Sequence, residues 1–256
     1  LLSHFLRIFK NKKSIIMFFV VVLIPFIDIL PLYMEKLKWG TDYHPMIAAY
    51  LSGSSEGHIP QIYLLWYLPL YFLILCSDDY IQDVQSGYDK IVISKMGKKS
   101  YIRGKLLTSF IVSGGTMFMA LLLNMLIVSL LFFGGGYSAG VFETAWPENT
   151  LLTFSQGHPY FAYLAFLINT SLFAGLAGCL GASSSLLFPS RKFAYPIAFF
   201  IWYIQVTIQG GSIIDITQPF TEYDFNHILP IWIRSFIILI SIPIIVYLYK
   251  VRSDEV

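Results

Sequence analysis

The sequence predicts an all-α polytopic membrane protein: six transmembrane helices in a single domain over residues 1–256. Three observations lead there. Apolar stretches near the ~20 residues that a helix needs to cross a hydrocarbon core recur at about 14–34, 59–77, 106–133, 160–188, 193–209 and 228–249. None shows the strict alternation of a barrel strand, and a backbone in lipid must close its own hydrogen bonds, so helices are the form that fits. Fourteen of the seventeen Lys and Arg residues fall before the first stretch, between the second and third, between the fourth and fifth, or after the sixth; Lys36, Lys38 and Arg234 are the exceptions. The positive-inside rule then places both termini in the cytoplasm, as an even number of spans requires.

Composition agrees. The chain is 56% hydrophobic and 12% charged, with a mean hydropathy of +0.67, where soluble domains carry about 25% charged residues. The net charge of +2 is uninformative beside its distribution. The first apolar run is too long for a signal-peptide core and no small-residue cleavage site follows it. No long soluble domain is visible, so a catalytic or energy-coupling domain is expected on another chain.

Residues 1–13 are not a span. Leu1, Leu2, Phe5, Leu6 and Phe9 recur at helical spacing, with His4, Arg7, Lys10 and Asn11 on much of the other face. The pattern predicts a short helix lying in the membrane interface, with Phe5 and Phe9 down and Arg7, Lys10, Lys12 and Lys13 among anionic headgroups. A plain block of basic residues ahead of the first span is the alternative. Span one holds Pro25 and Pro31 around Asp28. Pro31 is a place for the helix to end. Asp28 is then expected at the outer interface, paired with Lys36 or Lys38; the other reading is an intramembrane functional carboxylate.

Three segments, 35–60, 134–159 and 210–227, read as outer loops. They carry His44, His58, His158 and His227 without metal-ligand spacing. Cys76 and Cys179 fall within spans and read as small packing hydrophobes. The fourth span carries Gly175, Gly178, Gly181 and Ala182, then Ser183 to Ser185, which lets another helix approach closely. Packing within one subunit and a seam between subunits both fit. Asn124, Asn169 and Gln205 read as hydrogen-bonding groups between helices. With Asp28 and the three glycines they are the candidate pathway or packing residues. Trp39, Trp66, Tyr67, Trp146, Trp202 and Trp232 lie near span ends and suggest interfacial belts.

The most polar stretch is 76–107. It opens acidic (Asp78, Asp79, Asp83, Asp89) and closes basic (Lys95 to Lys105). The second span's helix is expected to continue to Gly87, a C-terminal cap. A short helix from Tyr88 to about Met96 follows, Gly97 breaks it, and Lys98–Tyr101 leads into span three. A surface helix so placed suits docking to a soluble partner and passing its motion to two spans. A basic loop that fixes topology and binds anionic lipid is the plainer reading. Gly97-Lys98-Lys99-Ser100 is not a phosphate loop: position 92 is valine where glycine is needed, and Lys99 stands where Ser or Thr should follow the lysine.

In order, Asp83, Gly87, Ile91-Val92-Ile93, Lys98-Lys99-Ser100-Tyr101 and Lys105 resemble the loop between spans two and three of ABC-2-type (type V) ABC transporter permeases, whose layout of an interfacial helix and six spans the chain also resembles. The family's arginine near the start of the basic element is lysine here, which cannot supply a planar bidentate donor. The resemblance implies a permease domain that forms a translocation path with a second, identical or homologous permease copy. It implies that Asp83, Gly87, Tyr88, Asp89, Lys95, Lys98, Lys99, Ser100 and Tyr101 couple the chain to separate ABC ATPase subunits. It implies no cofactor here, with ATP and Mg in the partner, no enzyme activity in this chain, membrane lipid but no nucleic acid as a further contact, and a place in a cell membrane, the bacterial plasma membrane. It implies export, with an amphipathic peptide or lipid-like substrate suggested by the few charges within the spans. By position, the segment before span six resembles the family's re-entrant helices. Alternatives are an ABC-2-like immunity or scaffold protein, a secondary transporter, whose matched halves are missing, and an intramembrane enzyme, whose paired carboxylates or histidines are missing from the spans.

Overall fold

The computed structural model describes residues 2–40, 43–53, 59–136 and 148–252, with side chains from Phe5 onward. Among the described residues the fold is helical, and strand pairing is limited to a bridge between Tyr43 and Gly136. Four helices are long and apolar enough to cross a membrane, or five if one bent pair is counted as a span. Their outer faces leave Ile16, Phe19, Leu23, Ile237, Ile244 and Ile245 exposed, as suits helices solvated by lipid.

The chain opens with α1 (Leu2–Lys10). Asn11 ends it and starts α2 (Lys12–Ile27), its side chain accepting from the Lys13 amide at 3.1 Å. After Asp28 the helix resumes as α3 (Ile29–Trp39), which closes at Gly40, in the left-handed region with φ 65°. The span therefore does not stop at Pro31. That proline falls in the first turn of α3, where a missing N–H costs no helical bond. The longer helix carries Asp28 inside the bundle. It is 1% exposed and within electrostatic reach of Tyr50 and Tyr163. Lys36 instead reaches the Leu131 carbonyl at 3.1 Å and lies over the Phe132 ring.

The stretch read as the first outer loop is also corrected. The short helix α4 (Pro45–Ala48) and the 3-10 turn Tyr50–Ser52 are folded into the bundle, with every residue from Pro45 to Leu51 buried. Asn124 holds the insertion: its Oδ1 accepts from the Tyr50 amide at 3.0 Å, and its Nδ2 donates to the Pro25 carbonyl at 2.8 Å.

The second apolar stretch is bent. Its halves, α5 (Ile59–Leu65) and α6 (Leu68–Phe72) with the π turn Leu73–Ser77, meet at 56°. Pro69 supplies the reason. It has no N–H for the Leu65 carbonyl four residues back, and the Trp202 indole donates to that carbonyl instead at 2.9 Å. Trp202 is thus a core residue, not part of a belt.

Next come α7 (Asp79–Ser86), α8 (Tyr88–Met96) and the 34-residue α9 (Lys98–Leu131). After α10 (Thr150–Gly157), α11 (Pro159–Leu187) forms the centre of the bundle, packed most closely against α9. A methyl on Gly175 would stand 2.8 Å from the Phe110 ring, and one on Gly178 would collide with Ser113. The glycine stripe is filled within the chain, which settles that part of its role as intramolecular packing. α12 (Arg191–Thr207) has 17 residues, about 26 Å at 1.5 Å per residue, against a hydrocarbon core of ~30 Å. α13 (Phe225–Arg252) completes the chain. The starts of α2, α9 and α12 and the ends of α11 and α13 meet at one end of the bundle, where Tyr101, Ile102, Leu106, Leu186 and Val246 form a second core.

Candidate functional site

The candidate site is the charged end, where the segment from Asp78 to Lys105 turns. Gly87 (φ 71°) closes α7, and Gly97 (φ 79°) separates α8 from α9. Both turns use a backbone region that side chains resist. The nine-residue helix expected from Tyr88 to Met96 is present between them. Val92 and Ile93 rest half-buried on the second core, no residue of α8 is buried, and Tyr88, Ile91 and Met96 are exposed.

Beneath α8 lies a charge cluster. Asp79 and Asp83 are four residues apart and share one face of α7. Arg7 donates through Nη1 to Asp83, and its Nη2 stands 2.9 Å from Asp79. Lys105 contacts Asp79 and lies 2.7 Å from Asp83 Oδ2, which also accepts from the Tyr101 hydroxyl. The Arg7 guanidinium sits over the Tyr88 ring at 4.9 Å. One cluster thus ties α1, α7, the start of α8 and the base of α9 together. Burial alone would raise the Asp83 pKa; the Lys105 charge and the hydrogen bonds from Lys105, Tyr101 and Arg7 outweigh it and hold the carboxyl below its usual range. Burial opposes the Arg7 charge, and Asp83 and Asp79 more than restore it.

Asp78, the neighbour of Asp79, points elsewhere, as adjacent helical residues must. It accepts from Arg191 Nε at 2.8 Å, from the Tyr195 hydroxyl at 3.2 Å and from Gln82 at 3.0 Å. This fastens the start of α12 to the end of the bent pair.

Several of the sequence-derived positions come together here, and some change character. Asp83 and Tyr101 are fully buried and bonded to each other, so neither offers a surface to a docking partner. Tyr88, Lys95, Lys99 and Ser100 are exposed, and Gly87, Asp89 and Lys98 are half-buried. Lys10, Lys12 and Lys13 are exposed beside Phe9, and Phe5 and Phe9 line an apolar groove of about 380 Å³ with Phe18 and Met119. Away from this end, Asn169 donates to the Ile216 carbonyl at 2.7 Å and accepts from Trp232 Nε1 at 2.8 Å. Trp232, half-buried, is tied to the bundle by that bond. Gln205 is buried, and its amide has no partner among the described residues. Gly181 packs on Leu73 and Ser77. His44 caps α4 by accepting from the Met46 amide, and His227 pairs with Asp215 at 3.2 Å. Trp146 and His58 lie outside the described residues.

Sequence reasoning missed Arg191 and Tyr195 as partners of Asp78, and Arg7 as a partner of α7. The four-residue spacing of Asp79 and Asp83 was the available signal, since it gives a helix a carboxylate face that needs cations. The buried insertion was signalled by the unbroken apolar run Pro45–Leu51.

Uncharacterized protein YybM from Bacillus subtilis (strain 168) is 46% identical to this chain over 253 residues, 99% of each chain. The chain belongs to the YybM family. No family model matches it, and no solved structure does.

Proposed function

We propose that this chain is the membrane-spanning permease subunit of an ATP-driven ABC-type exporter, paired with a second permease copy and powered by separate ATPase subunits. The observation that carries the reading is α8. It is a short helix with exposed apolar and basic residues, set between two left-handed glycines, and its first residue, Tyr88, lies under Arg7, whose cluster with Asp79, Asp83 and Lys105 ties α1, α7 and α9 together. A push on α8 would be passed to α1 through the Arg7–Tyr88 contact and to α9 through Val92 and Ile93 on the second core, not through a slack loop. The order of residues resembling ABC-2-type permeases supports the same reading, as does the concentration of cations at this end, which by the positive-inside rule faces the cytoplasm. ATP and Mg chemistry would then reside in the partner. The apolar spans favour an amphipathic peptide or lipid-like cargo carried outward.

The test is affinity purification of the tagged chain from its own membranes, with mass spectrometry for a nucleotide-binding ATPase and a cross-linker placed at Lys95→Cys. The reading expects that ATPase cross-linked to α8. Failure of any such ATPase to accompany the chain, or labelling of Lys95→Cys only from outside the cell, overturns it.

A further inference from the structure

The charges at the basic end fall into two sets. Arg7 and Lys105 face Asp79 and Asp83, two cations against two anions. Each is used: Arg7 divides its Nη groups between the carboxylates and Lys105 contacts both. The second set is unbalanced. An open groove of about 630 Å³ lies between the start of α2, the Asp78 end of the bent pair and the start of α12. Lys13, Arg191 and Lys192 line it, against Asp78 as its one carboxylate. The groove keeps a surplus of positive charge.

Arg191 is held there without being exhausted. Its Nε binds Asp78 at 2.8 Å, and the guanidinium also interacts with the Tyr195 hydroxyl, itself bonded to Asp78. A guanidinium has five N–H donors in a rigid fork, more than Asp78 and Tyr195 occupy, on a group whose orientation those contacts set. Lys13 and Lys192 are exposed. The rest of the lining is partly apolar, from Ile74, Pro196 and the Tyr195 ring. Lys13 and Arg191 each open a helix that continues as an apolar segment. The groove therefore sits where an apolar belt meets water.

From this we infer that the groove binds a phosphate-bearing anion, presented as the headgroup of an anionic phospholipid. Arg191 supplies the fork that matches phosphate oxygens, and the two lysines supply charge. Ile74 and Pro196 take the glycerol and the first methylenes. A free phosphate ion has the same recognition chemistry but no use for that apolar lining. The inference is independent of whether the chain couples to an ATPase.

The test uses the full chain in neutral detergent, titrated with phosphatidylglycerol or phosphatidylcholine and read by native mass spectrometry, with inorganic phosphate as competitor. Phosphatidylglycerol should bind in preference to phosphatidylcholine. The double variant Lys13→Gln/Lys192→Gln should weaken it about tenfold or more, and Lys90→Gln/Arg103→Gln, which removes two exposed charges from the same end outside the groove, should leave it within about twofold. Displacement by millimolar phosphate that depends on Lys13 and Lys192 supports the anion site and names the soluble ion as a source. Equal binding of the two lipids, no binding of lipid or phosphate, or equal losses in both double variants overturns the inference.

Discussion

Lys105 Nζ lies 2.7 Å from Asp83 Oδ2, and both side chains are almost wholly withdrawn from solvent, at 6% and 0% exposure. The pair joins the first turns of a long apolar helix to the short helix that precedes α8. Two such charges are tolerated only because each has further partners: Arg7 and Tyr101 on Asp83, Asp79 on Lys105. A buried pair of this kind specifies geometry more than it adds stability.

Lys105→Met should therefore destabilise the protein, even though methionine suits the apolar surroundings. Removing one partner of a buried pair costs about 3–5 kcal/mol, and Arg7 and Tyr101 remain on Asp83, so a loss of about 2–3 kcal/mol is expected. The double variant Asp83→Asn/Lys105→Met should lose less than the two single losses added together, because the stranded charge is gone. Unfolding in detergent micelles measures both. Strict additivity would show that the two groups do not act on each other.

The same pair sets a pH dependence. The Asp83 carboxyl is held below its usual value of 3.8, so its unfolded-state pKa is the higher one. The stability it contributes is fully present above about pH 5 and drains away as pH falls through the folded-state pKa, below about 4. Apparent stability should be flat through neutral pH as far as this group is concerned and fall in acid. In Lys105→Met the folded-state pKa rises, so the acid loss should begin at higher pH. Melting curves between pH 3 and 7 check this, and identical acid limbs in the two proteins would contradict it.

The helical plan was legible because it rests on long-range regularities: apolar length, the segregation of cations, and two glycines that bracket nine residues. Tyr88–Met96 could be placed from Gly87 and Gly97 because few other residues accept that backbone. What could not be read were partnerships across the chain. Asp78 finds Arg191 113 positions away, and Arg7 finds Asp83 76 positions away; spacing shows that the carboxylate face of α7 needs cations, but not which ones fill it. Asp28 reads as exposed because Pro31 reads as a helix end, while in the fold Pro31 falls in a first turn and Asp28 is buried. The buried Pro45–Leu51 segment is signalled by its apolar run but overshadowed by the polar residues flanking it, and the bend at Trp66–Tyr67 has its signal in Pro69. At the candidate site, sequence found the segment but not its inside and outside: Asp83 and Tyr101 look as available as Lys95 until α7 packs against α1 and α9.

Two glycines only 63 positions apart in sequence should respond in opposite ways to alanine. Gly178 faces Ser113 and the Ser109 carbonyl, 2.9 Å from where a methyl would sit, while Gly115 has nothing within 4 Å. Gly178→Ala has to push α9 and α11 apart, and overpacking of this kind costs about 1–3 kcal/mol. Gly115→Ala adds a better helix former without a clash and should be neutral or gain up to about 1 kcal/mol. Thermal unfolding of the two variants in one detergent decides it. Equal effects would mean that the close approach of α9 and α11 at Gly178 is not under packing constraint.

If α8 is the element gripped by a motor, its exposed face should matter to the motor and not to the fold. Ile91 is 55% exposed, in a helix with no buried residue. Ile91→Glu should change stability by no more than about 0.5 kcal/mol, as surface substitutions away from packed features do. In a complex with its ATPase the same change places a carboxylate in a docking groove, where an unpaired buried charge is costly. ATP turnover stimulated by the permease should then fall severalfold, with the ATPase's own basal rate unaltered. Tyr101→Phe tests the other side of the division. It removes a hydroxyl from Asp83 deep under α8, so it should lower stability by about 1–2 kcal/mol and affect turnover only to the extent that the fold loosens. Were Ile91→Glu to unfold the chain, or to leave stimulated turnover untouched, α8 would be a packing element and the permease reading would lose its mechanical basis.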